Sequence, residues 1–326
     1  MSIRIATFNL ESFGDPHEET ASFAARLGRL RDRIVRFDAD VLCLQELDAR
    51  RTADRHRTLA ALDALLEGTP YSGASRVEMV RAETGAPADR HNLVILSRLP
   101  VIERRQILHE FVPPLAYLPV TAIGADNPLQ NRFDRPFLYA ALALPDGRRL
   151  HAINVHLRAP LAAPIPGQKL TALSWRTAGG WAEGFYLAAL RRSGQALEVR
   201  LFVERLFDRE PDALIAVCGD FNADGREVPV RIVQAGADDT GNPALAGREL
   251  RAIERRVAAE RRYSVLHAGT PVMLDHILVS PALLNALRTA DVDNDGLADE
   301  IFDADPARPM PDSFHAPVIA EFALAG

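Results

Sequence analysis

The sequence has few cysteines and no long apolar run. Only two of its 326 residues are cysteines, Cys43 and Cys218, and each lies within an apolar stretch. Two buried free thiols are the simplest interpretation, and the pattern indicates neither a disulfide framework nor a zinc site. No segment approaches the run of about 18 apolar residues that predicts a membrane span. The first residues also lack the apolar stretch of a signal peptide, which predicts a cytoplasmic protein.

Positive charge is scarce as well. The chain carries 38 basic and 44 acidic residues, a formal net charge of −6, and Lys169 is its only lysine. Proteins that bind nucleic acid gain much of their affinity by neutralising phosphate charges. The composition therefore does not support tight, general binding of nucleic acid, although it leaves room for a locally positive cleft.

Strand-like segments recur along the whole chain. They are bounded by glycine, proline, asparagine or aspartate, and they read IRIATFNL, VLCLQE, NLVILS, FLYAALAL, LHAINVHL, LIAVCGD, MLDHILVS and APVIAEFAL. Helical spacing of apolar residues predicts helices over 20–37 and 185–207, and the arginine-rich segment 248–262 predicts an exposed helix. Residues 158–183 are rich in proline and glycine, and we expect an irregular loop there.

Polar residues stand at the ends of the strand-like segments. Five of them can converge if the strands share an edge or lie in facing sheets, namely Asn9, Glu46, His156, Asp220 and His315. The most specific of these contexts is "CGDFN", where a buried strand leads into Gly219, Asp220 and Asn222. In an extended segment the side chains of Asp220 and Asn222 point the same way, and Gly219 permits close backbone approach. A strand-end turn is the alternative.

Together these segments resemble the endonuclease/exonuclease/phosphatase superfamily, which has a deoxyribonuclease-I-like fold. The matching stretches occur in the family's order, as TFNL, LCLQE, NLVILSRLP, INVHL, CGDFN, LDHILVS and SFHAPV. The resemblance implies an α+β four-layer sandwich, in which two packed mixed β-sheets are flanked by helices. It implies one domain over residues 1–326 that hydrolyses phosphoesters with water and Mg²⁺ or Mn²⁺.

The resemblance also assigns roles to the matching residues. Glu46, a hard oxygen donor, would bind the metal, with Asn9 contacting the metal shell or the phosphate. Outside this context Glu46 would be interpreted as a strand cap or an arginine partner. Asp220 would accept a proton from water or orient it, while Asn222 would hold a phosphate oxygen or a metal-bound water.

Two histidines complete the predicted site. Asp275 would fix the tautomer of His315, which acts either as a general base or as a hydrogen-bond donor to the transition state. His156 would bind the scissile phosphate or support the leaving group. His276, the neighbour of Asp275, should point to the other face of its strand and is left out of the site.

The sequence departs from the family pattern at Phe314, which stands where an acidic residue commonly helps to hold the metal. Three interpretations follow. In the first, Glu46 holds a single metal and water completes the shell. In the second, another acid substitutes, namely Asp312, Asp299 or Glu300. In the third, metal binding is weak and the enzyme is impaired. We favour them in that order.

The segment 291–302, "DVDNDGLADEIF", imitates a calcium-binding loop. Phe302 stands where such a loop needs its bidentate glutamate, and no flanking helix pair is evident. We therefore expect an acidic surface loop rather than a Ca²⁺ site.

Three functions fit the sequence. The first is a metal-dependent phosphodiesterase or nuclease, with nucleic acid as one candidate substrate. The second is a phosphomonoesterase, or a hydrolase of lipid headgroups or small organic phosphoesters. It draws support from the low basicity and from the aromatic residues near 175–186, which could stack on bases, contact a lipid or close the core. The third is a non-catalytic binding module, and Phe314 is the only residue that supports this hypothesis.

Overall fold

The computed structural model describes residues 1–18, 20–52, 54, 56–124, 127–304 and 311–324. Its strands are β1 Ser2–Phe13, β2 Val41–Leu47, β3 Arg50–Arg51, β4 Arg57–Thr58, β5 Ser75–Glu78, β6 Asn92–Ser97, β7 Val101–Ile107, β8 Leu115–Tyr117, β9 Leu129–Asn131, β10 Phe137–Ala143, β11 Arg149–His156, β12 Leu214–Asp220, β13 Arg251–Ala252, β14 Val265–His267, β15 Thr270–Val272, β16 Asp275–Val279, β17 Leu287–Val292 and β18 Val318–Ala323. Its helices are α1 Thr20–Phe37, α2 Ala60–Leu66, α3 Ala178–Arg209, α4 Val228–Gln234, α5 Ala237–Thr240 and α6 Pro281–Leu284, with 3₁₀ turns at Pro243–Arg248, Ile253–Arg256 and Ala259–Arg261.

Two mixed six-stranded sheets organise the fold. The first sheet has the order β17-β18-β1-β2-β6-β5, and the second has the order β13-β16-β12-β11-β10-β7. Each sheet contains one parallel pair, β1 with β2 and β11 with β12, and its other pairings are antiparallel. At or near the carboxyl ends of these central parallel strands lie Asn9, Glu46, His156 and Asp220.

The two sheets pack face to face, and helices cover their outer faces. The layer between the sheets is apolar and contains both cysteines, each buried and free. Helices α1 and α2 cover the first sheet, and α3 and α4 cover the second. The predicted four-layer α+β fold is therefore confirmed, while the assignment of residues 1–326 to one domain stays a prediction.

Helix α1 forms where the apolar spacing predicts it. Leu30, Ile34 and Phe37 lie on its buried side, against the outer face of the first sheet. Four of its five arginines pair with carboxylates, and Arg33 Nε, for example, lies 3.1 Å from Asp293 Oδ2.

Helix α3 begins earlier than its apolar spacing predicts. The Thr177 hydroxyl accepts a hydrogen bond from the Gly180 amide at 2.9 Å and caps the helix, which then begins at Ala178. The irregular loop therefore spans 158–177 rather than 158–183. Two glycines in the first turn conceal this start in the sequence, because glycine is a poor helix former.

The arginine-rich helix expected over 248–262 is wrong. The segment forms β13 and two short 3₁₀ turns, in which Ile253 and Glu254 point into the protein. Arg262 Nη2 donates to Val257 O at 2.8 Å, which holds the chain in this folded-back path. Among the described residues, no helix has both the length and the apolar character that crossing a bilayer requires.

Candidate active site

The candidate site forms where strand ends of the two sheets meet. In the second sheet, Asp220 at the end of β12 pairs with His156 on one side and with Asp275 on the other. The first sheet supplies Asn9 from β1 and Glu46 from β2. The strand order thus brings together side chains that lie up to 266 positions apart.

Asn9 joins the two sheets at this edge. Its fully buried carboxamide Nδ2 donates to Glu46 Oε1 at 3.2 Å and to Asp220 Oδ2 at 3.1 Å. Its backbone oxygen accepts from the Ser313 hydroxyl at 2.8 Å, and that hydroxyl also accepts from the His315 amide at 2.9 Å. One asparagine therefore fixes a carboxylate from each sheet and the segment that carries His315.

His315 and Asp275 form the predicted pair. His315 Nδ1 lies 2.7 Å from Asp275 Oδ2, and both side chains are buried. Burial alone would lower the pKa of His315, but the Asp275 carboxylate and the nearby Asp220 and Glu11 raise this pKa well above its usual value. His315 is therefore held as an imidazolium.

His156 is held in the opposite protonation state. Burial and the positive charge of Arg135 lower the pKa of His156 well below its usual value. Arg135 Nη1 contacts His156 Nδ1, and because a guanidinium can only donate, Nδ1 must accept. The ring proton therefore lies on Nε2, which faces Glu46 Oε1 at 3.6 Å and Asp220 Oδ2 at 3.5 Å.

Asp220 is a carboxyl group that titrates near neutrality. Burial and the Asp275 carboxylate raise its pKa to about 7, against the opposing effects of His315 and of the Asn222 amide. The backbone N–H of Asn222 donates to Asp220 Oδ1 at 2.7 Å. The side-chain Nδ2 of Asn222 donates to Leu157 O at 3.0 Å and to Asp220 Oδ2 at 3.2 Å.

The backbone around Asp220 differs from the extended segment that the sequence predicts. Strand β12 ends at Asp220, and Asn222 has a left-handed φ of 48°. The turn alternative is thus the observed one, and the Asn222 side chain folds back onto Asp220. Gly219 has a φ of 141°, and a Cβ there would lie 1.9 Å from Val155 O, so the close approach requires glycine.

Glu46 stays ionised despite its burial. Burial favours the neutral acid, but the contact with His91 and the charge of His315 hold the pKa of Glu46 well below its usual value. Glu46 Oε2 lies 3.2 Å from His91 Nδ1 and accepts from the Ser12 amide at 3.1 Å. Its φ of 58° is left-handed, as are those of Glu11 and Ser12 beside it. Such backbone strain commonly gathers at functional sites.

Glu11 brings a second carboxylate to the Glu46 side of the site. Glu11 Oε2 lies 4.0 Å from His315 Nε2. Burial and the charge of Glu46 raise its pKa above the usual value. The ionised Glu46 thus disfavours the ionisation of Glu11, and a cation shared by the two carboxylates would relieve that repulsion.

Two clusters of side chains could hold a metal ion. One consists of Glu46, His91 and His156, the other of Asp220, Asp275 and His315, and the ligand atoms within each cluster lie within 4.8 Å of one another. The hydrogen bond from Arg135 occupies His156 Nδ1, and Asp275 occupies His315 Nδ1. The carboxylates of Glu46 and Glu11 therefore fit a hard divalent cation best. Asn9, predicted as a metal contact, turns its Nδ2 toward Glu46, and its Oδ1 accepts from the Glu11 amide at 2.9 Å, so it presents a donor on this side.

All seven predicted core residues meet at this edge, whereas the three predicted substitute acids do not join either cluster. Asp312 accepts from Arg29 Nε at 3.1 Å, and Asp299 accepts from the amides of the 268–269 and 301–302 backbone. Glu300 contacts His267. Phe314 is itself buried.

Three residues in the cluster were missed by the sequence interpretation: Glu11, His91 and Arg135. Glu11 follows Asn9 by two positions in the same strand, and His91 directly precedes the NLVILS strand, so both carried a usable positional signal. Arg135 lies in no recognisable motif, and only the tertiary structure places it against His156.

Two neighbouring features bear on earlier predictions. His276 points away from the site, as expected: its Nε2 lies 2.9 Å from Ala223 O and its Nδ1 contacts buried Glu254. In the calcium-like segment, Asp293 and Asp295 pair with Arg33 and Arg261.

Comparison with known proteins places the chain in a family. Residues 6–297 match the Endonuclease/Exonuclease/phosphatase family, and no curated protein matches the sequence. Similar solved structures include an endonuclease/exonuclease/phosphatase from Bacteroides vulgatus, with 15% identity, a TM-score of 0.59 and 100% of both chains covered. Truncated TDP2 of Caenorhabditis elegans has 14% identity and a TM-score of 0.58, covering 98% of this chain and 97% of its own.

A mannosyl-6-phosphatase of Bacteroides thetaiotaomicron has 17% identity and a TM-score of 0.58, with 99% of this chain and 100% of its own covered. At these identities the structures show a shared fold. The family match extends over most of the sequence and therefore shows to which family the chain belongs. The chain belongs to the Endonuclease/Exonuclease/phosphatase family and is an enzyme that hydrolyses phosphoester bonds.

Proposed function

We propose that the protein is a divalent-metal-dependent phosphodiesterase that uses water as its nucleophile. One observation carries the proposal: Asn9 joins Glu46 to Asp220 beside the Asp275–His315 pair. This juxtaposition puts an ionised oxygen donor, a carboxyl group with a pKa of about 7 and an imidazolium around one edge of the fold.

Mg²⁺, or Mn²⁺ in its place, is the cofactor that we propose. Glu46 would hold it, with the Glu11 carboxylate as a further oxygen donor, while Asn9 would orient Glu46 through its Nδ2. When bound, a divalent ion neutralises phosphate charge and makes water easier to ionise. Glu11, rather than Asp312, Asp299 or Glu300, would replace the acid that Phe314 lacks.

The side chains of the site divide the proton chemistry among them. Asp220 would accept the proton of the attacking water, since its raised pKa makes it a suitable base near neutrality. Asn222 would keep both oxygens of that carboxylate in place. His156 would use its Nε2–H to contact the phosphate or the leaving oxygen, because Arg135 fixes the ring tautomer.

His315 would stabilise the transition state by donating a hydrogen bond from Nε2 to a phosphoryl oxygen. Its raised pKa supports this role over that of a general base, because an imidazolium has no lone pair to accept a proton. Asp275 would hold the ring in orientation and preserve its charge.

The charges of the site favour a diester over a monoester. The Glu46 and Asp275 carboxylates face the imidazolium of His315 and the guanidinium of Arg135, and Asp220 and Glu11 add further partial negative charge. The four full charges cancel, so a bound divalent ion, offset in part by Asp220 and Glu11, would leave a small net positive charge. A singly charged diester matches that charge better than a doubly charged monoester.

Nucleic acid is a polymeric phosphodiester, and we favour it less than a small phosphodiester as the substrate. Arginines of α1 pair with Asp293 and Asp312 and so do not form an open track for phosphates. A nuclease would lose affinity steeply as salt rises, whereas a hydrolase of small esters would respond little. Measuring KM for an oligonucleotide and for a small diester across a salt series separates the two.

Hydrolysis of bis-p-nitrophenyl phosphate and p-nitrophenyl phosphate tests the proposal. We expect the diester to be cleaved faster, with Mg²⁺ or Mn²⁺ required and EDTA inhibitory. Asp220→Asn and His315→Gln should each lower kcat by about 10² to 10⁴, the usual contribution of such groups. Exposed His56→Ala is the matched control and should retain full activity. Equal diester hydrolysis in EDTA, or full activity of both site variants, would contradict the proposal.

A further inference from the structure

We propose that an exposed apolar surface at the N-terminal end of α3 docks the protein on membranes that contain anionic lipid. This docking surface is formed by two loop segments and the first turn of α3. Its protruding side chains are Leu118, Val120, Ile123, Leu170, Leu173 and Trp181. The inference rests on the proposed function in one respect, since it names lipid phosphodiesters as the substrate class.

The exposure of these side chains is unusual for a loop surface. Leu173 is 93% exposed and Val120 is 84% exposed, and the other four are each about half exposed or more. Single exposed apolar residues are common, but a contiguous group of this kind indicates an interaction surface. Burying a leucine side chain is worth about 1.5–3 kcal/mol, so even partial insertion of several residues supports binding.

The docking surface is held in place by a buried carboxylate of α3. Glu183 accepts hydrogen bonds from Tyr117 Oη at 3.0 Å, from the Val120 amide at 2.6 Å and from the Thr121 amide at 2.9 Å, and also contacts the Thr121 hydroxyl. These bonds fix the backbone of Val120, whose side chain projects outward. The apolar side chains are therefore presented by an ordered loop.

The second loop is tied to the first and to α3. Gln168 donates to Thr121 O and accepts from the Thr177 hydroxyl at 2.8 Å, and the Ile123 amide donates to Pro166 O at 3.0 Å. Ala163, Ile165 and Leu187 form a small core beneath the two loops. The segments thus make one continuous surface rather than separate loops.

The charge of this region selects anionic lipid over other apolar partners. The two loops carry Lys169 and Arg176, and the only acidic residue at this surface that the structure describes is Glu183, whose carboxylate is buried under the first loop, in a chain whose net charge is −6. Arg158, at the start of the second loop, pairs with Asp134. Lys169 Nζ lies 4.4 Å from the ring centroid of Trp175, and Arg176 is exposed at the rim. Basic residues around protruding apolar side chains match the surface of a membrane with anionic headgroups.

The docking surface is connected to the candidate site through the chain itself. Strand β11 ends at His156, and loop 158–177 begins directly after the next residue, Leu157. The Leu157 amide donates to Asp220 O at 2.9 Å, and Leu157 O accepts from Asn222 Nδ2 at 3.0 Å. These bonds fix the start of the loop that carries Leu170 and Leu173 to the strand end that carries Asp220.

Vesicle co-sedimentation of the full chain tests docking independently of catalysis. The probes are phosphatidylcholine vesicles with and without phosphatidylserine, in EDTA, so that no turnover is required. We expect binding that needs phosphatidylserine and weakens as salt rises. Leu173→Ser with Val120→Ser should lower the partition coefficient at least tenfold, and Lys169→Glu with Arg176→Glu about fivefold or more for each charge removed.

Matched controls replace equally exposed apolar residues outside the docking surface. Ile102→Ser on β7 and Val228→Ser on α4 should leave vesicle binding unchanged, since their side chains are 52% and 56% exposed but belong to other faces. All variants should keep wild-type activity on a small soluble diester. If the wild-type protein does not hydrolyse the small diester, the proposed function is wrong. Vesicle binding, which is measured in EDTA, still decides the docking proposal in that case.

Three results would overturn the docking proposal. One is equal binding of wild-type and Leu173→Ser/Val120→Ser protein to anionic vesicles. Another is wild-type protein that sediments as a dimer while this variant is monomeric and neither binds vesicles, which would make the surface a contact between copies. The third is binding to a single-stranded oligonucleotide, but not to vesicles, that these substitutions abolish.

Discussion

At the scale of single residues, fixed hydrogen-bond directions decide the protonation states of the site. Arg135 can only donate, so His156 must carry its proton on Nε2, toward Glu46 and Asp220. Asp275 can only accept when ionised, so His315 keeps its proton on Nδ1. Two histidines near Asp220 thus differ in charge, because the lowered pKa of His156 keeps it neutral and the raised pKa of His315 keeps it an imidazolium.

Replacing Arg135 tests the tautomer argument. Arg135→Met should lower kcat about ten- to a hundredfold, because the His156 ring loses its fixed orientation. Arg135→Lys retains a donor and should recover part of the loss, measured as kcat on a small diester. Equal activity of the two variants would show that the donor does not position His156.

Metal affinity tests the compensation between Glu11 and Phe314. Glu11→Gln should weaken Mg²⁺ binding about tenfold in calorimetric titration, since it removes one charged oxygen donor. Phe314→Asp should strengthen binding. Asp312→Asn is the matched control and should leave affinity unchanged, because Asp312 pairs with Arg29 and Arg33. Unchanged affinity in Glu11→Gln would show that Glu11 does not bind the metal. Unchanged affinity in Phe314→Asp would show that Phe314 does not weaken Mg²⁺ binding.

At the scale of elements, α3 connects the site with the docking surface. Its first turns carry Trp181 and Glu183, which belong to the docking surface and its support. Further along, Gln195 accepts from the Arg158 amide at 2.8 Å, and Arg192 donates to Asn222 O at 2.6 Å. One rigid helix therefore holds the 115–124 loop, the start of the 158–177 loop and the turn that carries Asn222.

Removing the Glu183 carboxylate should loosen the first loop without unfolding the sheets. Glu183→Ala leaves the Val120 and Thr121 amides without their acceptor, at a cost of about 1–3 kcal/mol for the unsatisfied groups. We expect faster hydrogen exchange at these two amides, with the β-sheet amides unaffected. Exposed Glu260→Ala is the control. Unchanged exchange at Val120 and Thr121 would contradict the role of Glu183.

At the scale of the whole molecule, a buried ion pair makes stability depend on pH. His276 contacts Glu254 through Nδ1 and Ala223 O through Nε2, so both ring nitrogens face acceptors. Burial would lower the pKa of His276, but Glu254, the Ala223 carbonyl and Asp275 raise it to about 9 from the ordinary 6.5. The folded state therefore binds this proton more tightly than the unfolded state does.

The sign of the effect follows from that difference. The contribution of His276 to stability is fully present below pH 6.5 and is lost as the pH rises through about 9, a change on the order of 3 kcal/mol. The free energy of unfolding, measured by urea denaturation, should fall across this range. His276→Gln should be less stable at low pH and show a flatter profile. A wild-type profile that rises over the same interval would contradict the assignment.

The sequence by itself determined the layers of this protein and most members of its site. Alternating and continuous apolar runs defined the main strands, and helical spacing defined α1, because burial imposes those periods on the chain. Ordered motifs at strand ends identified Asn9, Glu46, His156, Asp220, Asn222, Asp275 and His315. These signals are local, and a linear sequence retains local signals.

Only the tertiary structure decided what meets across the fold. The structure shows the left-handed turn at Asn222, which the sequence does not fix. It also shows which distant segments meet: Arg135 contacts His156, Asp312 pairs with Arg29 of α1, and the two loops bond to each other beside α3. The arginine-rich segment 248–262 looked helical, yet pairing with β16 and the inward turn of Ile253 and Glu254 override that propensity. Sheet pairing and packing determine such contacts, and no period in the sequence encodes them.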